Sequence, residues 1–332
     1  MSEVAAQLGT PSYADIVAAG QRLRGVAVRT PVLEAPSLNA EIGGRILVKA
    51  EVLQRTGSFK FRGAYNRISQ LTPDEKRRGV IAFSSGNHAQ GVSAAAEIIE
   101  TPATVVMPAS APGIKVARCR GYGAQVVLHD GDRASMEART LALAEERGLT
   151  LVRPFEDDMV IAGQGTVGTE IADQVALLGP PPDAVLVPCG GGGLTAGIAL
   201  ALEARMPTSH LYTVEPEEFD DTARSLKSSK RLAVEPGGRS ICDALLVPRP
   251  GERTFAINRH RVARGLTVSD TAVRQAMAAL FGHFKIVVEP GGAVGLAALL
   301  SGAFDARGKT VVVVATGGNV DPQVFADALK AG

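Results

Sequence analysis

Eight short runs rich in β-branched residues are spaced along the chain, at 46–52, 80–85, 103–108, 124–130, 149–154, 184–190, 211–216 and 310–318. Ala-rich stretches with helical periodicity lie between them, among them 89–100, 134–148, 195–205 and 270–284. This alternation predicts parallel sheets joined by crossover helices, an α/β fold. The runs are apolar without a two-residue alternation, as expected of strands covered on both faces. At 332 residues the chain can bury one large core or two medium ones. It shows no internal repeat and no low-complexity linker.

The polar and glycine-rich segments are not scattered. SSGNHAQG (84–91), CGGGGL (189–194), VEPEEFDD (214–221) and ATGGNV (315–320) each follow one of the strand runs. Doubly wound α/β sheets bind ligands beyond the carboxyl ends of their strands. The four loops are therefore expected to converge on one site.

Composition removes several classes of function. A net charge of +1 gives no electrostatic reason to expect nucleic acid or an anionic membrane as partner. Aromatic residues make up 4% with no Trp, too few for platforms on which bases stack. No run of 18 or more apolar residues exists to span a membrane. The start, MSEVAAQLGTPSYADI, is polar and acidic and lacks the basic-then-apolar order of a signal peptide. Cys119, Cys189 and Cys242 are odd in number and have no CxxC spacing. They read as small core hydrophobes in a reducing, cytoplasmic compartment.

Four segments carry chemical groups in suggestive patterns. In GSFKFRGA (57–64), Lys60 lies between two phenylalanines at the start of a helical stretch. Apolar surroundings lower an amine's pKa and favour its nucleophilic neutral form. Taken alone, Lys60 also reads as a surface lysine whose stem covers apolar neighbours. Gly190, Gly191, Gly192 and Gly193 expose successive N–H groups at a helix start, an anion cradle or else a tight turn. The loop has neither the GK[ST] of a P-loop nor the full dinucleotide fingerprint. Ser84, Ser85, Gly86, Asn87 and His88 combine hydroxyls and helix-start amides in a way that suits a carboxylate, or an ordinary N-cap run. His88 by itself reads as a hydrogen-bonded structural histidine. Glu215 and Asp221 are hard oxygen donors in an acidic loop that could equally be solvated.

Taken together, GSFKFRGA, SSGNHAQG, IAGQGTVGTE, PCGGGGL, VEPGGAVG and ATGGNV, in this order, resemble the fold-type II pyridoxal-phosphate enzymes. Within that group the chain is similar to the threonine/serine dehydratases and serine racemases, over roughly residues 12 to 325. The resemblance implies two open, twisted, mostly parallel sheets flanked by helices, as in the tryptophan synthase β-like fold. The large cofactor-binding domain is expected at 1–75 and 156–332, with a small inserted domain at 76–155. It further implies that Lys60 forms a Schiff base with pyridoxal 5'-phosphate and later moves the Cα proton. Phe59 would pack near the pyridine ring, Asn87 would meet the ring's 3'-oxygen, and Gly190 to Gly193 would cradle the phosphate. Ser84 to His88 would hold the substrate carboxylate. Ser85 matches the opposite-face acid or base of the racemases. Thr316 would face the pyridine nitrogen, and Glu289 would lie near the cofactor. Glu215, Asp221 and the Phe219 carbonyl match a site for Mg²⁺ or Ca²⁺. Relatives of this kind form homodimers or homotetramers, and the chain resembles the short forms without a regulatory domain.

The implied activity is removal of water from L-threonine, L-serine or a similar β-hydroxy amino acid, giving a 2-oxo acid and ammonia. Serine racemisation is a second reading. Dehydration of hydroxyaspartate, phenylserine or a hydroxyectoine-pathway intermediate stays open. Two departures bear on that choice: Ala244 stands where relatives commonly have Gly, and Pro154-Phe155-Glu156-Asp157 replaces the usual Pro-Asn or Pro-Tyr. A catalytically silent binding protein and a nicotinamide dehydrogenase are the readings from other classes. Intact Lys60 opposes the first, and the incomplete fingerprint opposes the second.

Overall fold

A computed structural model describes residues 10–331. Residues 1–9 and 332, and with them most of the polar N-terminal stretch, lie outside the described part. Among the described residues, ten strands form two sheets. They are β1 (Val32–Glu34), β2 (Arg45–Ala50), β3 (Val80–Phe83), β4 (Ala103–Pro108), β5 (Gln125–His129), β6 (Thr150–Leu151), β7 (Ala184–Pro188), β8 (His210–Pro216), β9 (Val262–Val268) and β10 (Thr310–Ala315).

The larger sheet runs β1-β2-β10-β7-β8-β9 and is parallel except for β1, which pairs antiparallel with β2. The smaller runs β5-β4-β3-β6 and is wholly parallel. The expected fold class is what the chain adopts. Every residue of β3 and β7 is buried, which explains why those segments read as continuous apolar runs. The edge strands differ: β5 and β9 are partly exposed, and β1 spans only three residues. The run at 149–154 shrinks to two paired residues, because the chain turns at Pro154 toward the other sheet and Pro has no N–H for a ladder.

Two helices position loops at the carboxyl ends of the strands. The helix Lys60–Ile68 packs against Asn87–Ile99, with Gly91 at the crossing. A Cβ on Gly91 would lie 3.1 Å from the Lys60 carbonyl carbon, so only glycine lets the two backbones come this close. Beneath Lys60 sits a buried ionic cluster. Arg62 forks onto both Glu51 oxygens at 2.8 Å and reaches Glu170 at 2.7 Å, while Lys49 meets Glu170 at 2.6 Å. Burial alone would raise the Glu51 pKa, but the Arg62 guanidinium outweighs it and holds the carboxyl below its ordinary value.

Candidate active site

The carboxyl ends of β3, β7 and β10 open into one cleft between the sheets. Ser84 follows β3, Gly190 follows β7, and Thr316 follows β10. Phe59, Lys60, Ser84 to His88, Gly190 to Gly193, Glu289 and Thr316 all line it. The fourth loop does not converge. Glu215, Phe219 and Asp221 lie behind the glycine loop, where Thr222 approaches Cys189 at 3.6 Å. The expectation of four loops around one cleft is corrected to three.

Lys60 is delivered by backbone pairing. Ser58 forms a β-bridge with Gly317, and the Phe59 amide donates to the Thr316 carbonyl at 3.1 Å. Lys60 then opens its helix with the amine in the cleft, donating to the Pro154 carbonyl at 3.0 Å and lying 5.1 Å from the Phe59 ring centre. Phe61 points the other way, into the core. Burial pulls the Lys60 pKa from 10.5 to about 8, and the nearby Arg133 cation adds to the shift.

The glycine loop is shaped by groups behind it. Thr254 donates its hydroxyl to the Gly191 carbonyl at 2.6 Å, and Asn258 donates to the Gly192 carbonyl at 3.2 Å. Because a carbonyl and the following amide point oppositely, the Gly192 and Gly193 N–H groups point away from Thr254 and Asn258. A Cβ on Gly191 would lie 2.2 Å from the Phe155 ring, and Gly192 sits at φ 86°. No side chain fits at either position. The helix Gly193–Arg205 adds its positive N-terminal end.

Asn87 is tied by its side chain to Glu289 and accepts from Asn319 at 2.8 Å. Glu289 is buried, with its second oxygen partnerless among the described residues. Burial, then the Asp243 charge, lifts its pKa to about 7. His88 is buried and donates Nε2–H to the Val152 carbonyl at 2.9 Å. Burial and the Lys60 charge drive its pKa down to about 3, so it is a neutral strut beneath the loop. Ser85 is exposed in the cleft.

Glu215 accepts the Thr222 and Ala223 amides at 2.9 and 2.7 Å, while one Asp221 oxygen has no partner among the described residues. Burial raises both carboxyls, Asp221 to about 7, and the Asp221 charge raises Glu215 further. Two buried carboxyls short of a counter-ion fit a divalent cation. No cluster of three or more His, Cys, Asp or Glu suited to a metal occurs among the described residues, so such an ion would need carbonyls and water as well.

Three contributors went unnoticed in the sequence. Lys115 pairs with Asp243 at 2.7 Å across the cleft, Arg133 stands at its mouth, and Asn319 bonds Asn87 and the Thr56 carbonyl. Only Asn319 had a signal, its place in the ATGGNV loop.

An amine with a depressed pKa beside a loop and helix start that present backbone amides suits an anionic carbonyl cofactor. Residues 23–317 match the family described as pyridoxal-phosphate dependent enzymes, and the chain belongs to it. The chain is 43% identical to an L-threo-3-hydroxyaspartate ammonia-lyase of Pseudomonas sp, over 96% of this chain and 98% of that protein. The crystal structure of a T.th. threonine deaminase superposes with a TM-score of 0.89 at 45% identity, covering 94% of this chain and 99% of that one. Maize serine racemase superposes with a TM-score of 0.91 at 34% identity, covering 97% and 98%.

Proposed function

We propose that this protein is an ammonia-lyase that removes water from a small β-hydroxy amino acid, yielding a 2-oxo acid and ammonia. The observation that carries the reading is the Lys60 amine, with a pKa of about 8, set among the carboxylate loop, the glycine cradle and Thr316. Relatives named for ammonia-lyase activity on hydroxyaspartate and for threonine deaminase support it.

Pyridoxal phosphate, when bound, supplies an electron sink conjugated to the substrate Cα. Lys60 would hold it covalently, the amides of Gly190 to Gly193 would take its phosphate, and Asn87, Glu289 and Phe59 would orient its ring. The helix-start amides and hydroxyls at Ser84–His88 would bind the substrate carboxylate. Lys60 as a neutral amine would accept the Cα proton, and the β-hydroxyl would leave with a proton as water, so that the two proton movements balance. Thr316 would present a hydroxyl, not a carboxylate, to the ring nitrogen, and a hydroxyl does not protonate it, which would favour elimination. The enamine product, once free of the protein, would tautomerise and be hydrolysed to the 2-oxo acid and ammonia.

Ser85 favours a second activity, racemisation, because its hydroxyl is exposed in the cleft and could serve the opposite face of Cα. Chiral analysis of serine after incubation separates the two. Glu215, Asp221 and the Phe219 carbonyl are proposed to hold Mg²⁺ or Ca²⁺. Residues 76–155 are proposed to form a small unit inserted into a large one at 1–75 and 156–332. A homodimer or homotetramer in the cytoplasm completes the reading; the three free, buried cysteines fit a reducing compartment.

The test is a 2-oxo acid and ammonia assay over a panel of β-hydroxy amino acids with the cofactor-loaded protein. Keto acid from at least one member is expected, and Lys60→Ala should lose both turnover and the visible absorbance of the bound cofactor. A loaded protein that yields no keto acid from any of them, or a Lys60→Ala variant that still turns over, overturns the reading.

A further inference from the structure

Pro154, Phe155 and Glu156 reach three parts of the site in three successive residues. The Pro154 carbonyl accepts the Lys60 amine at 3.0 Å. Phe155 backs the glycine loop: a Cβ on Gly191 would lie 2.2 Å from its ring, and one on Gly193 would lie 2.9 Å from its Cβ. Glu156 is off the cleft wall and meets the helix Glu252–Asn258 behind the loop. Its Oε2 accepts the Arg253 amide at 3.2 Å, and its Oε1 accepts the Thr254 amide at 3.3 Å. Amides in the first turn of a helix have no partner within it. The residue at the cap position is Gly251, which has no side chain to serve them. Glu156 does so from a distant segment, and a Cβ on Gly251 would lie 2.0 Å from its Oε1. The same helix carries Thr254 and Asn258, both buried, which hold the Gly191 and Gly192 carbonyls.

We propose that Glu156 is a positioning residue for the phosphate cradle: by capping the helix Glu252–Asn258 it fixes Thr254 and Asn258, and through them the peptides that follow Gly191 and Gly192. The inference rests on the assignment of the glycine loop to the cofactor's phosphate and deepens it. A peptide unit is planar and rigid, so holding its carbonyl also aims its amide. Amides aimed before the anion arrives bind it better than a loop that must be ordered on binding. Glu156 itself touches neither cofactor nor substrate in this arrangement.

The experiment measures dissociation constants for pyridoxal 5'-phosphate and for pyridoxal, which lacks the phosphate, with the full chain stripped of cofactor. Wild type, Glu156→Ala, Glu156→Gln, Thr254→Val and Thr254→Ser are compared. Wild type should strongly prefer the phosphorylated form. Glu156→Ala removes both acceptors and should narrow that preference on the order of 10-fold, with the affinity for pyridoxal unchanged. Glu156→Gln keeps one acceptor oxygen and should fall between the two; it carries the test if the alanine variant does not fold. Thr254→Val should reproduce the loss, and Thr254→Ser, which keeps the hydroxyl, should restore most of it. A merely loosened cleft weakens both ligands alike, so the ratio of the two constants separates positioning from stability. An unchanged ratio in the Glu156 variants, or an equal loss for both ligands, overturns the proposal and leaves the phosphate assignment standing. Wild type with no preference for the phosphorylated form removes that assignment and the proposal together.

Discussion

At Lys60 two requirements meet: an amine that must stay reachable and an amine that must be neutral near physiological pH. The cleft meets both by burying the amine and setting the like charge of Arg133 near it, while the amine still lines the open cleft. Because the folded pKa is lowered to about 8, the neutral base grows in population as pH rises through that value. Turnover of the loaded enzyme is expected to climb through the neutral and mildly alkaline range and level off above it. Arg133→Gln removes the like charge and should shift this limb upward. A pH profile of kcat at constant ionic strength checks both, because the free Lys60 amine exists only once substrate is bound, and a limb that does not move in the variant counts against the electrostatic coupling.

Among the elements, the helix Lys60–Ile68 is anchored by its third residue. Arg62 is buried and forked onto Glu51, which is itself fully buried. Removing one partner of a buried pair strands the other charge. Arg62→Ala is expected to cost about 3–5 kcal/mol of unfolding free energy, read by chemical denaturation. The pH sense follows from Glu51: its folded pKa lies below the unfolded one, so its contribution is present above the unfolded value. It is lost as pH falls through the folded pKa. A loss near zero in Arg62→Ala would mean that solvent relaxes the cluster.

For the molecule as a whole, side chains tie one sheet unit to the other over the cleft. Lys115–Asp243, Asn87–Glu289 and Arg118–Asn319 each cross it. Behind the glycine loop, the Glu215–Asp221 pair offers a second means of stiffening the larger unit. A divalent cation held there binds only the folded chain. At about a hundredfold excess over its Kd it adds about 2.7 kcal/mol, or on the order of 5 °C in Tm. Chelator should remove that increment, and Asp221→Asn should abolish it without chelator. A shift that persists in Asp221→Asn places the cation elsewhere.

The fold was legible because its signal is local. Each central strand is a run of apolar β-branched residues, and each is followed by its own glycine or hydroxyl loop. The edge strands β1 and β9 escaped, since a three-residue strand and a half-exposed one lack that signature. The candidate cleft lining was legible where a contiguous segment carries it, as at Lys60, Ser84–His88 and Gly190–Gly193. It was opaque where a single side chain arrives from a distant helix. Lys115 and Arg133 look like any surface cation in sequence, because nothing local records which wall of the cleft they face. By itself, then, the sequence determined the sheets, the loops at their carboxyl ends and the lysine that the proposal makes the anchor. Only the tertiary structure decided that Lys115 is neutralised while Arg133 is not, because that depends on which carboxylates lie within a few ångströms after folding.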